Sequence, residues 1–238
     1  DGWLVARKPW PAEMDQWPEP RHGADGNAVS QDTVVGPPRR IRWVAGPSQE
    51  ISSLVSAAGR NYYGGVWTRD AFNGLRLWQR DLKPSPAQGG FGFQRASGSV
   101  RPIAAGDQLL VFADAAVTAL NGATGEPIRQ YPEAGKPTEL MVAAQTLLAV
   151  DAGSIRAVDM DSGKLRWTYQ ASEPRYVVAG DDAVFLLEGS VRRGEAVSAT
   201  CLDLAAGSLE ARDRQERVAG QTARAMGALD AQGAAIGR

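Results

Sequence analysis

The chain has 238 residues and carries 26 basic against 27 acidic side chains, a formal net charge of −1, so no long-range field draws it to nucleic acid or to an anionic membrane. Its single cysteine, Cys201, and single histidine, His22, exclude an internal disulfide, a thiolate metal cage and a multi-histidine metal centre. No apolar run approaches the roughly 18 residues that a membrane-spanning helix requires, and no charged-then-apolar leader follows Asp1.

In chain order, the segment GWLVARKP at 2–9 reads as one outer strand of a preceding structural unit. A glycine-rich loop follows, RHGADGN, in which Arg21, His22, Asp25 and Asn27 stand close together. A histidine there has the chemistry of an acid or base near neutral pH. Asp, Gly and Asn are also turn formers, and the loop is read as fixing itself by side-chain to backbone hydrogen bonds. PRRIRWV, Pro38 to Val44, reads as the strand that leads into the first full copy of a repeat.

That repeat organises the remainder. Gly74, Gly125, Gly163 and Gly207 stand 51, 38 and 44 residues apart by subtraction, centred on the length of one four-stranded propeller blade. Four residues before them come Asp70, Asn121, Asp159 and Asp203, and six before them the small residues Thr68, Ala119, Ala157 and Cys201. Trp78 and Trp167 follow the first and third glycines by four residues, where the second and fourth copies have Arg129 and Ala211. In the third copy, Ile155, Ala157 and Asp159 alternate with Arg156, Val158 and Met160 at strand period. Asp161, Ser162 and Gly163 then supply a hairpin turn. A second strand carries Leu165, Trp167 and Tyr169 on one face, where the indole buries against the next blade.

A second hairpin precedes each of the later signatures: Ile103 to Phe112 around Gly106, Met141 to Val150 around Ala144, and Tyr176 to Leu187 around Gly180. Two hairpins make four strands. The first copy is shorter upstream, with Gly59 only 15 residues ahead of Gly74. The stretch LKPSPAQGGFGFQRASGSVRP is too rich in Pro, Gly and Ser for a core strand and reads as an inter-blade excursion. Its GGFGF, Gly89 to Phe93, lacks the Lys-Ser or Lys-Thr of a phosphate loop. EGSVRRGE, with Arg192 and Arg193, is an inserted polar loop in the last blade, and beyond Arg212 the pattern ends in a tail rich in Ala, Gly, Arg and Gln.

The units TALNGATGEPIRQY and RAVDMDSGKLRWTY resemble the pyrroloquinoline-quinone-like repeat, which places a small residue, Leu or Val, Asp, Thr-Gly or Ser-Gly, and Trp in this order. The resemblance covers about residues 50 to 211. The run from Trp17 to Pro47 is similar to the segment preceding the first repeats in large bacterial propeller proteins, some joined to a methyltransferase domain, although no S-adenosylmethionine motif occurs here. The resemblance implies an all-β fold, a partial β-propeller of about four four-stranded antiparallel blades, at residues 48–211. Residues 1–47 would hold a strand of a preceding blade and a connecting loop, and 212–238 an irregular or disordered tail.

Relatives of this kind divide into quinoprotein dehydrogenases, which hold pyrroloquinoline quinone and calcium, and assembly propellers of the bacterial outer membrane, which bind proteins. The dehydrogenases sandwich the quinone between an indole and an adjacent-cysteine disulfide, and Cys201 has no cysteine neighbour. Asp70, Asn121, Asp159 and Asp203 carry oxygen ligands suited to calcium. Because they recur once per blade they are read as caps of their own hairpins. Trp78 and Trp167 are read as inter-blade anchors and Cys201 as a buried small hydrophobe. The reading that follows is a non-catalytic binding or scaffold propeller of a larger bacterial protein, extracytoplasmic, with no cofactor and no metal site. Its partner is a protein or the remainder of its own polypeptide. The alternatives are part of a quinone- and calcium-dependent alcohol or sugar dehydrogenase, and the propeller portion of a methyltransferase fusion.

Overall fold

The computed structural model describes residues 11–34, 36, 40–41, 43–44, 53–64, 67–82, 100–172, 174–189 and 198–209. The segment GWLVARKP, the GGFGF stretch, Arg192 and Arg193, and the tail after Arg212 lie outside the described residues.

Strands follow one another as antiparallel hairpins, grouped into four sheets. The first contains β1 (Leu54–Ala57), β2 (Arg60–Tyr63), β3 (Trp67–Asp70) and β4 (Arg76–Gln79) in that order. The second contains β5 (Ile103–Ala105), β6 (Gln108–Ala113), β7 (Ala116–Asn121) and β8 (Pro127–Gln130). A 3-10 turn at Pro132–Ala134 leads to the third, β9 (Glu139–Ala143), β10 (Thr146–Val150), β11 (Ser154–Asp159) and β12 (Leu165–Gln170). The fourth contains β13 (Pro174–Ala179), β14 (Ala183–Glu188) and β15 (Ser198–Asp203). It has three strands among the described residues, where the sequence predicts four, and Leu209 forms a single bridge to Leu202 where the fourth would begin.

The same irregularity recurs in three sheets. The register between third and fourth strands shifts at Thr68/Arg69, Ala119/Leu120 and Ala157/Val158, at one repeat position, and a bulge there bends the outer strand and increases its twist.

Burial explains why the second strands read as continuous apolar runs. Along β6, Leu109, Val111 and Ala113 face the first sheet, packing with Val55, Ala57, Tyr62 and Trp78. Leu110 and Phe112 face the third, packing with Leu140, Leu147, Ala149 and Val158. In β10 the alternation repeats, with Leu148 and Val150 turned toward Val177, Val184 and Leu186 of the fourth sheet. A strand covered on both faces needs apolar residues at every position, which the period of 2 alone would not require.

The first strands of successive sheets are neighbours, β1 beside β5, β5 beside β9 and β9 beside β13. Four antiparallel sheets packed face to face, with their first strands gathered side by side, form an arc of a β-propeller.

Candidate binding site along the inner strands

The repeat residues build one turn four times over. The Gly74, Gly125, Gly163 and Gly207 N–H groups donate to the carbonyls of Asp70, Asn121, Asp159 and Asp203 at 3.0, 2.7, 2.8 and 2.8 Å. Side chains complete each turn. Asp70 Oδ1 accepts the N–H groups of Phe72 and Asn73 at 2.8 and 2.9 Å, and Asn121 Oδ1 those of Ala123 and Thr124 at 2.9 and 3.1 Å. Asp159 Oδ1 accepts the Ser162 N–H at 2.7 Å, and Asp203 Oδ1 the Ala206 N–H at 2.7 Å. The Arg166 guanidinium and the Ser162 donors hold the Asp159 carboxyl well below the usual carboxylate range. Each of these oxygens serves its own turn, so the four do not form a shared ligand set.

The glycines are required twice over. Each has φ between 66° and 75°, which a side chain disfavours, and three of the four lie under an indole. A Cβ on Gly125 would stand 2.7 Å from Trp78 Cδ2, and one on Gly207 2.5 Å from Trp167 Cδ2. The indole N–H groups donate to the carbonyls of Gly122 and Leu204, at 2.9 and 2.8 Å. Each tryptophan of an outer strand therefore closes over the turn of a neighbouring sheet. Arg129 takes that place over Gly163, with 3.4 Å between its Nη1 and an added Cβ. Gly106, with φ of 59°, has open space around an added Cβ. We expect Gly125→Ala to destabilise the chain by about 2 to 4 kcal/mol and Gly106→Ala by about 1 kcal/mol, so their difference in urea midpoints reports the indole contact. Equal losses would show that backbone strain accounts for both.

Trp43 occupies the corresponding place over the first turn. A Cβ on Gly74 would stand 2.5 Å from its Cδ2, and its indole N–H donates to Ala71 O at 3.3 Å. The residue that sequence reading places in a strand leading into the first copy is thus an anchor equivalent to Trp78 and Trp167. Ile41, Trp43 and Val44 form no described strand.

The loop from Asp15 to Asp32 is closed at its neck by the Asp15 carboxylate. Oδ2 accepts the Gln31 N–H at 2.7 Å, the Ser30 hydroxyl at 3.0 Å and His22 Nε2 at 2.8 Å, while Oδ1 accepts the Gln16 N–H at 2.8 Å. These donors, His22 foremost, hold the Asp15 carboxyl well below the ordinary range. The His22 ring meets Trp17 edge-on with centroids 5.0 Å apart. Asp25 Oδ1 accepts the Asn27 N–H at 3.2 Å, and Arg21 donates to the Tyr176 hydroxyl at 2.6 Å.

From this neck the chain crosses the free edges of all four first strands. Trp17 pairs with Ser56 of β1 through N–H to O bonds of 2.8 and 2.7 Å, and the Ala104 N–H of β5 donates to Pro18 O at 2.7 Å. The Val142 N–H of β9 donates to Glu19 Oε1 at 2.9 Å, and the Ala179 N–H of β13 to Ala24 O at 2.8 Å. Glu19 is only 6% exposed. Burial pushes its carboxyl up to about 7, with Glu139 and Asp25 adding repulsion and the Val142 N–H opposing the shift. A second buried carboxylate, Glu188, accepts the Ser172 N–H at 2.8 Å and the Tyr169 and Thr200 hydroxyls at 3.1 and 2.8 Å, a set that ties the third sheet to the fourth. Cys201, 1% exposed, lies in β15 opposite Phe185. Among the described residues no group of three or more His, Cys, Asp and Glu side chains could hold a metal ion, and no helix is long and apolar enough to cross a membrane.

No protein-family model and no curated protein matches the sequence. Solved structures similar to it include BamB from Moraxella catarrhalis, at 17% identity over 66% of this chain and 47% of that chain with a TM-score of 0.39. The WD40 domain of Neurospora crassa Pan2 matches at 14% identity over 68% and 51%, with a TM-score of 0.45. A europium-containing methanol dehydrogenase matches at 17% identity over 54% and 26%, with a TM-score of 0.38. The chain spans about half the length of the first two. Sheet order and packing make it a β-propeller arc independently of these likenesses.

Proposed function

We propose that the chain is a binding and scaffold arc of the pyrroloquinoline-quinone-like repeat type, part of a larger bacterial protein working outside the cytoplasm. Its partner in this reading is a protein or the rest of its own polypeptide, and it uses no cofactor. One observation carries the reading: the free edges of the first strands, gathered at the centre of the arc, offer main-chain N–H donors and take the segment from Trp17 to Ala24. That is recognition by strand edge, a mode in which backbone hydrogen bonds give affinity and side chains give selectivity.

Two features of the repeat positions count against a quinone with its calcium there. Trp78 and Trp167, which could stack on a flat ring, are each 8% exposed and covered by a neighbouring turn. The acidic repeat residues are spread one per sheet in their own hairpins.

Titration of the chain with pyrroloquinoline quinone and calcium, followed by quinone absorbance, tests this. The expected result is no saturable spectral change and no dye reduction with alcohols or sugars. Stoichiometric quinone uptake with turnover would replace the scaffold by the dehydrogenase.

A further inference from the structure

Four N–H groups converge on the centre of the arc, one from each sheet: Ser56, Ala104, Val142 and Ala179. Their cross-strand partners are Asn61, Leu109, Leu147 and Val184, and their bonds point away from those partners, so they belong to open edges that strand pairing leaves unsatisfied. An open edge is a template for an added segment. Here the acceptors are Trp17 O, Pro18 O, Glu19 Oε1 and Ala24 O. Consecutive residues meet consecutive sheets at positions 17, 18 and 19, and a tight turn closed by Glu19 and His22, which exchange N–H to O bonds of 3.2 and 3.1 Å, then carries the chain to Ala24. A carboxylate meets the third donor directly.

The seated segment is held at some cost. His22 has φ of 75°, a conformation that a non-glycine residue adopts at about 1 to 3 kcal/mol when the surroundings force it. Glu19 gives up solvent for one N–H donor beside the like charge of Glu139. What retains it is the neck at Asp15, whose carboxylate gathers donors from residues 16, 22, 30 and 31. A segment from another chain, free of the loop's geometry, would escape the His22 strain.

We propose that these four edges form a binding site for a peptide of another protein that runs extended over three residues, carries one carboxyl side chain and then turns, and that Trp17–Ala24 is its built-in occupant, latched at Asp15 and displaceable. The proposal rests on the binding reading above and names its ligand class. The ligand presents two or three main-chain carbonyls and one carboxyl, with an aromatic residue two positions before the acid and a turn after it.

The test uses the full chain, its Asp15→Asn variant and a labelled synthetic peptide with the sequence of residues 14–26. Fluorescence anisotropy is expected to show binding to Asp15→Asn at least about tenfold tighter than to the unaltered chain, and loss of roughly tenfold when the peptide carries Glu19→Ala. Hydrogen exchange supplies the site: the Ala104, Val142 and Ala179 amides lose protection in Asp15→Asn and regain it with peptide, while those of Leu109 and Leu148 stay protected and report an intact fold. If Asp15→Asn leaves the three amides protected, the double variant Asp15→Asn, Glu19→Ala is read in the same way. Deprotected amides that peptide fails to cover, or a loop that stays seated in both variants, overturns the proposal. Either result leaves the quinone titration unaffected, so the scaffold reading stands or falls separately.

Discussion

Glu19→Gln is expected to make the chain more stable than the unaltered protein at pH 8 and to flatten its stability between about pH 5 and pH 8. The carboxyl titrates at about 7 in the fold against an ordinary value of 4.5, because burial penalises the charged form more than the Val142 N–H rewards it. Since the folded value lies above the unfolded one, the stabilising contribution is complete below about pH 4.5 and is lost as pH rises through 7. A displacement of this size corresponds to about 3 kcal/mol. The amide of Gln keeps an oxygen for the Val142 N–H and removes the charge. β1 and β5 carry no ionisable side chain. The charged groups that act on it are Glu139 on β9 and Asp25 in the same loop. Urea midpoints at the two pH values, compared between the two proteins, cancel every other titration. Parallel profiles would show that Glu19 is ionised at both values and that water reaches it.

The hairpins and their grouping into blades were legible because their determinants are local. Asp161, Ser162 and Gly163 mark a turn, with Asp159 as its side-chain cap, and the run from Ile103 to Phe112 around Gly106 marks a hairpin. The inter-blade anchor at Trp78 could be read from its repeat position. Trp43 could not, since the residue four before it is Arg39 rather than a turn glycine, and only its docking on Gly74 reveals its equivalence. The inner-strand site was illegible for a different reason. Its donors are the main-chain N–H groups of Ser56, Ala104, Val142 and Ala179, and an N–H is the same whatever side chain it carries. The turn formers around His22 mark a structural loop. Its central residue is Asp15, which lies outside the glycine-rich run and carries no motif. Glu19, between two prolines, has the sequence character of an exposed acid; only the convergence of four sheets buries it.

Trp167→Ala is expected to cost about 3 to 5 kcal/mol and to release the fourth sheet before the others. The indole is 8% exposed, lies in the core shared by the third and fourth sheets with Met141, Leu148, Val184 and Leu202, and donates to Leu204 O. Removing it leaves a cavity over the Gly207 turn and an unpaired carbonyl at its base, a loss from packing and hydrogen bonding together. In a stack of repeats, each contacting only its neighbours, such damage stays local. Hydrogen exchange in β13–β15 should therefore accelerate by several orders of magnitude while β6 and β7 change little. Trp167→Phe restores most of the apolar burial without the N–H donor and should recover more than half of the loss. Arg129→Ala, at the same repeat position in the second sheet, sets the scale for an anchor that is a flexible, charged side chain, 3.4 Å from where a Cβ on Gly163 would stand, and is expected to cost less than about 1 kcal/mol. If Arg129→Ala and Trp167→Ala prove equally damaging, the position matters for the course of the outer strand and the indole is incidental. If Trp167→Ala instead loosens all four sheets together, the arc unfolds as one cooperative body and its inter-sheet contacts are not separable.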